Sequence, residues 1–377
     1  MKIGIITRHH MYHHGAILQA YSLQNILERM GYVVEMIDFR HVSYERANWV
    51  IAFQPFSLIR TVSFTHFLKY SITRIGWGCL NIDRHILRGK YYQVFIKKWM
   101  HYSPKTYHTR EELIESPPIY DVYITGSDQI WKINQELGGL DNIFFLDFAP
   151  VNSLRIAYAA SFGRQKLAEP YPEIMQNLLK NIDYISIRER SSIPFIQSLT
   201  SKDVIHVLDP ALLQDSGAWD IVAKNPNVTG DYLFVYSVTW DKNLADFARK
   251  VAKETGFRMV CVGPDYSGIG IRNAVAGPEE FIGYIKNATL IVTDSFHGTV
   301  FSLLYRKLFY TYPPTGEETR IVDLLELVHL ENRIISSASD NISLEASIPY
   351  DEVHQILAEK RIESFQFLKD ALASLKE

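Results

Sequence analysis

The sequence predicts an α/β protein built from two Rossmann-like parallel-sheet units that face each other across a cleft. Three observations predict it. Short apolar runs alternate with helical patterns along most of the chain, and polar clusters, several with glycine, follow several of those runs. The length, 377 residues, is more than twice the roughly 150 residues of a typical domain. Strands separated by helices require a parallel sheet with right-handed crossovers.

The elements follow in order. Lys2 to Thr7 is an apolar run ending in a polar cluster. From Ala16, the residues Ile17, Ala20, Tyr21, Leu23, Ile26, Leu27 and Met30 recur at helical spacing, and Gly31 stands where a helix ends. Val33 to Phe39 is the second strand. Further strands are expected at 120–125, 155–159, 184–187 and 204–208, then at 232–238, 259–262, 290–293 and 308–312. A polar stretch around Ala223 to Asn227 separates the two series. The expected units are therefore residues 1–220 and 228–350, with an amphipathic helix over 351–377 packing back on the first unit.

Residues 42–118 break the rhythm. They hold 11 Lys or Arg against 5 Asp or Glu, interleaved with aromatics such as Trp49, Phe64, Trp77 and Trp99. The pattern reads as a mostly helical insertion. It is either a peripheral surface for anionic lipid or a set of helices with their charged sides in water.

Composition narrows the function. A net charge of −3 argues against nucleic-acid binding. Only Cys79 and Cys261 occur, so neither a disulfide scaffold nor a cysteine zinc site is expected. The opening apolar run is too short for a signal-peptide core, and nowhere do 18 apolar residues run together. A cytoplasmic location is the expectation, with contact at the inner face of the membrane through the insertion.

In open parallel sheets ligands bind beyond the carboxyl ends of strands. Four segments lie there. The first, Arg8 to Gly15, has histidines at 9, 10, 13 and 14 before a helix. It suits a phosphate or sugar contact at the helix N-terminus, a solvated loop, or a metal. No ligands at i, i+4 spacing support the metal, and neither a metal nor a cofactor is expected. The second, Gly126-Ser127-Asp128-Gln129-Ile130-Trp131, offers hydroxyl, carboxylate and amide groups beside an indole, as carbohydrate sites do. Alternatively Asp128 caps a helix and Trp131 is core. The third places Arg188 after a strand, to grip an anion or to pair with Glu189. The fourth, Thr293-Asp294-Ser295-Phe296-His297-Gly298-Thr299, puts His297 at a helix N-terminus, where it could serve as a general acid.

Together these segments resemble the polysaccharide pyruvyl transferase family. The resemblance is carried by Gly15-Ala16-Ile17-Leu18-Gln19-Ala20, Gly126-Ser127-Asp128-Gln129-Ile130-Trp131, Ala157-Tyr158-Ala159-Ala160-Ser161-Phe162-Gly163, Ser186-Ile187-Arg188-Glu189, Asp209-Pro210-Ala211-Leu212-Leu213 and Ser295-Phe296-His297-Gly298. It implies a fold like the B-type glycosyltransferases. It also implies transfer of pyruvyl from phosphoenolpyruvate to two hydroxyls of a sugar or lipid-linked oligosaccharide, forming a ketal in surface or cell-wall polysaccharide synthesis. His297 matches the family's general acid. Donor contacts fall to Arg188, Ser295, Gly298, Thr299, Arg8 and Arg320, and acceptor contacts to His13, His14, Gly126, Ser127, Asp128, Gln129 and Trp131. Family members resemble one another in an arginine two residues before the histidine, where this chain has Ser295. A B-type glycosyltransferase using a nucleotide sugar and a non-catalytic glycan-binding protein remain the alternatives.

Overall fold

The computed structural model describes residues 1–10, 12–41, 82–134, 138–239, 241–263, 274–313, 319–341 and 347–375. Most of the basic, aromatic stretch, 42–81, lies outside them.

Two parallel sheets organise the chain. The first has seven strands in the order β3-β2-β1-β4-β5-β6-β7: β1 (Lys2–Ile6), β2 (Val33–Phe39), β3 (Tyr102–Tyr107), β4 (Val122–Thr125), β5 (Leu154–Ala160), β6 (Tyr184–Ile187) and β7 (Val204–His206). The second has four in the order β11-β10-β8-β9: β8 (Tyr232–Tyr236), β9 (Arg258–Val262), β10 (Leu290–Thr293) and β11 (Leu308–Thr311). The strands read as unbroken apolar runs because a parallel sheet is covered on both faces. Every residue of β4, β8 and β10 is buried.

Both sheets reverse direction once. Strand order runs outward from β1 through β2 to β3, then restarts at β4 on the other side of β1. In the second sheet β9 lies on one side of β8, and β10 and β11 on the other. The crevices at these reversals open between the segments after β1 and β4, and between those after β8 and β10.

Helix α1 (His14–Arg29) leads out of the first crevice and is buried on nearly every side from His14 to Leu27. Its interior polar groups are satisfied. Gln19 donates to Ala16 O and to Thr7 Oγ1 and accepts from the Ser127 amide, and Ser22 donates to Pro210 O. Of the insertion, the described part begins with α2 (Ile82–Trp99), continues into β3, which joins the first sheet as its edge, and includes a short helix over Arg110–Glu115. The segment read as mostly helical therefore also contributes a strand. The last long helix, α3 (Tyr350–Ala373), touches both halves. Its Ser364 accepts from the Leu208 amide and its Arg361 donates to Leu212 O, while His354 meets Leu303 O. Among the described residues no helix is long and apolar enough to cross a membrane.

Candidate active site

The two crevices meet around His297. Ser295 caps helix α4 (Phe296–Leu304), its hydroxyl accepting from the Gly298 amide at 3.3 Å. The turn before it is anchored by Asp294, which accepts from the hydroxyls of Ser237 and Thr239 and from the Val238 and Thr239 amides. That network ties the end of β8 to the start of α4 and makes a rigid mount for the imidazole. Thr299 is fully buried, its hydroxyl donating to Ser295 O at 3.1 Å and lying 3.2 Å from Thr311 Oγ1. The hydroxyls of Ser295 and Thr299 therefore build the mount.

His297 packs closely against the start of α1. A Cβ on Gly15 would fall 2.1 Å from His297 Nδ1, so any side chain at 15 displaces the ring. Nε2 is buried, has no hydrogen-bond partner, and lies 3.6 Å from Asp209 Oδ1. Asp209 comes from the first half of the chain. Its Oδ1 accepts from the Ala211 amide at 2.9 Å, and its Oδ2 from Arg188 at 2.6 Å and Ser127 at 3.1 Å. Burial works against its charge, but His297 and Arg188 outweigh burial and hold the carboxyl down at about 2.

Arg188 is engaged by protein oxygens at all three nitrogens. Nε donates to Glu189 at 3.2 Å, Nη1 to Asp209 and Ser127, and Nη2 to Ser161, with Asp128 at 3.6 Å. Its guanidinium also lies 4.2 Å from the Phe296 ring centroid. The anion grip expected of Arg188 is thus filled by carboxylates, and the ion-pair reading with Glu189 is the one this geometry favours. Arg320 is more open, at 16% side-chain exposure, and donates to Asp128 at 3.2 Å. Burial resists the Asp128 charge, yet His297, Arg188, Arg320 and His13 together keep its carboxyl well below the usual range. A narrow cavity is lined by Arg188, Asp209, Phe296 and Arg320. A wider cavity, bounded by Tyr21, Trp99, Asp215 and Phe365, is touched by none of these groups.

The other expected contacts separate. Gly126 (φ 137°) turns the chain where a Cβ would fall 1.8 Å from Tyr158 O, and Ser127 faces Asp209 and Arg188. Gln129 is half-buried with φ 51°. Trp131 is a correction. It is fully buried, stacked on Phe145 at 5.1 Å and donating to Phe144 O at 3.1 Å, so its indole belongs to the core and offers no face to a sugar. Arg8 lies 5.5 Å from the Phe144 ring. His13 caps α1, its Nδ1 accepting from the Ala16 amide at 3.1 Å, and burial pushes it down to about 4.

His14 joins the halves. Nε2 donates to Ala276 O at 3.1 Å, which leaves Nδ1 to accept from the Tyr236 hydroxyl at 3.2 Å. Burial, partly offset by the Ala276 carbonyl, pushes it down to about 3. A protonated ring loses the Tyr236 bond. Because the unfolded imidazole titrates near 6.5, the unfolded chain binds the extra proton first. The contribution of His14 is complete above about pH 6.5 and fades as pH falls toward 3. At pH 5 it has lost about 2 kcal/mol, so the urea midpoint should fall measurably between pH 7 and pH 5. An unchanged midpoint over that interval refutes this reading.

Sequence reasoning left Asp209 out of the site, although it stands in a string that carries the family resemblance. Its signal was local: an Asp-Pro pair soon after a strand is a helix cap at a carboxyl edge.

The family model described as polysaccharide pyruvyl transferase matches residues 13–312. The chain belongs to that family. It is therefore one of a group of transferases acting on polysaccharide. Its fold is shared with UDP-GlcNAc 2-epimerase from Methanocaldococcus jannaschii, solved with UDP-GlcNAc and UDP. That likeness has TM-score 0.52 and 12% identity, over 96% of this chain and 93% of the epimerase. UDP-N-acetylglucosamine 2-epimerase from Rickettsia bellii is similar to the same degree, with TM-score 0.52 and 11% identity over 99% and 98% of the two chains. These likenesses establish a two-sheet architecture of the B-type glycosyltransferase kind. No curated protein matches the sequence.

Proposed function

We propose that this polysaccharide pyruvyl transferase moves a pyruvyl group from phosphoenolpyruvate to two hydroxyls of a sugar in surface or cell-wall polysaccharide synthesis. The observation that carries the reading is the buried, unpartnered His297 Nε2 facing Asp209 at 3.6 Å. An acid is needed because the enol phosphate of the donor reacts only once its methylene carbon takes a proton. His297 gives that proton to C3, which becomes the methyl group, and C2 becomes an oxocarbenium centre. The first sugar hydroxyl adds to C2 and returns its proton to His297. Phosphate then leaves, taking the C2–O bond pair, and the second hydroxyl closes the ketal while its proton passes to phosphate. Asp209 stabilises the imidazolium on each cycle.

The donor's negative charge needs a cation that a ligand can reach, and the Arg320 side chain is 16% exposed against 3% for Arg188. Arg320 meets that need best, with the N-terminus of α4 beside it. Calorimetric titration of phosphoenolpyruvate tests the reading. The wild type should bind it, and Arg320→Ala should bind at least about tenfold more weakly, the loss of one charge-assisted contact. Heat with nucleotide sugars and none with phosphoenolpyruvate would transfer the site to glycosyl transfer.

A further inference from the structure

Among the buried polar atoms without a hydrogen-bond partner, two belong to neighbouring rings at the carboxyl edge of the first sheet. His9 is 1% exposed. Its Nδ1 meets the Thr7 carbonyl at 2.8 Å, and a carbonyl only accepts, so the proton is on Nδ1 and Nε2 carries a lone pair. That Nε2 is buried and unpaired, and so is the hydroxyl of Tyr102, whose ring centroid is 5.2 Å from that of His9. The His10 ring lies 3.9 Å from the His9 ring, and its Nε2 is 2.8 Å from Asp38 Oδ1. One ligand atom each from His9, His10 and Asp38 falls within 4.8 Å of the others.

We propose that His9, His10 and Asp38, at the carboxyl ends of β1 and β2, form a site for a divalent transition cation of the zinc type. Two imidazoles and one carboxylate are a donor set such ions accept, with the fourth position left to water or to Tyr102. The outer contacts are already in place. His9 donates its other N–H to a backbone carbonyl, as ligating histidines do, and Asp38 Oδ2 accepts from Thr106 at 2.6 Å. Tetrahedral ligands at about 2.1 Å from a zinc ion are about 3.4 Å apart, so His10 and Asp38, at 2.8 Å, open slightly around the cation and the wider separations, none above 4.8 Å, close by about 1 Å or a little more. Arg40 forks Asp38 at 2.8 and 3.0 Å, but its side chain is 43% exposed and can keep Oδ2 while Oδ1 turns to the cation. The bound ion would pin the segment after β1 to the end of β2, just ahead of His13. This inference is independent of the pyruvyl reading.

The test uses untagged full-length protein, stripped with a chelator and titrated with zinc chloride against a chromophoric indicator. The expected result is one equivalent bound by the wild type and that equivalent lost in His9→Ala and in His10→Ala. No binding by the wild type overturns the site, and so does equal binding by folded His9→Ala and His10→Ala. Should those variants fail to fold, cobalt titration of the wild type decides. Intense visible bands of a tetrahedral nitrogen–oxygen site support the proposal, and the weak absorption of octahedral cobalt overturns it.

Discussion

His297→Gln should slow phosphate release from phosphoenolpyruvate, with a sugar acceptor present, by about 10²–10⁴-fold, the range a general acid contributes. Glutamine fills similar space and can still hydrogen-bond, but it cannot deliver a proton to carbon. The loss should therefore fall on turnover, with donor affinity nearly kept. Circular dichroism matching the wild type would show that the fold survives. Wild-type turnover in this variant ends the assignment of His297 as the acid, whatever the donor proves to be.

Arg188→Leu should destabilise the protein by about 3–5 kcal/mol, read as a lower urea midpoint. Arg188 is 5% exposed and answers Asp209 at 2.6 Å and Glu189 at 3.2 Å. Removing it leaves these carboxylates buried without their main counter-charge. Burial already pushes the Glu189 carboxyl up despite Arg188. A loss under about 1 kcal/mol would mean that water reaches the network and that it behaves as a surface ion pair. The size of the expected effect explains why Arg320, and not Arg188, is the probe of donor binding. An Arg188 variant that failed to bind could have lost its grip or its site.

Much of the fold was legible because parallel strands buried on both faces announce themselves as apolar runs. β2, β6, β10 and α3 fall within a residue or a few of their expected bounds. β3 was missed for a physical reason. Its sequence, Tyr-Ser-Pro-Lys-Thr-Tyr, holds a proline and exposes Pro104 and Lys105, a pattern that fits only an edge strand. Legibility of the site was uneven in the same way. A histidine at a strand-to-helix turn signals its place through the helix N-terminus, so His297 could be singled out. Whether an indole faces a cleft or a core depends on partners distant in sequence, here Phe144 and Phe145 across a turn, and Trp131 could not be placed. Asp209 acquires its meaning only when β7 and α4 are brought together, and no local spacing encodes that meeting.

The proton donor we propose, His297, and the Asp209 carboxylate facing it come from different halves of the chain. His297 belongs to the second sheet's half and Asp209 to the first, and Nε2 and Oδ1 stand 3.6 Å apart with nothing covalent holding the gap. Coulomb attraction weakens as water enters such a gap, since the effective dielectric rises toward that of bulk solvent. An acid assembled this way acts as a latch: with the walls apart, the imidazolium loses its stabilising partner. In the proposed reaction a half-loaded enzyme would then sit idle, and the enol phosphate donor would not be spent on water while the acceptor is absent.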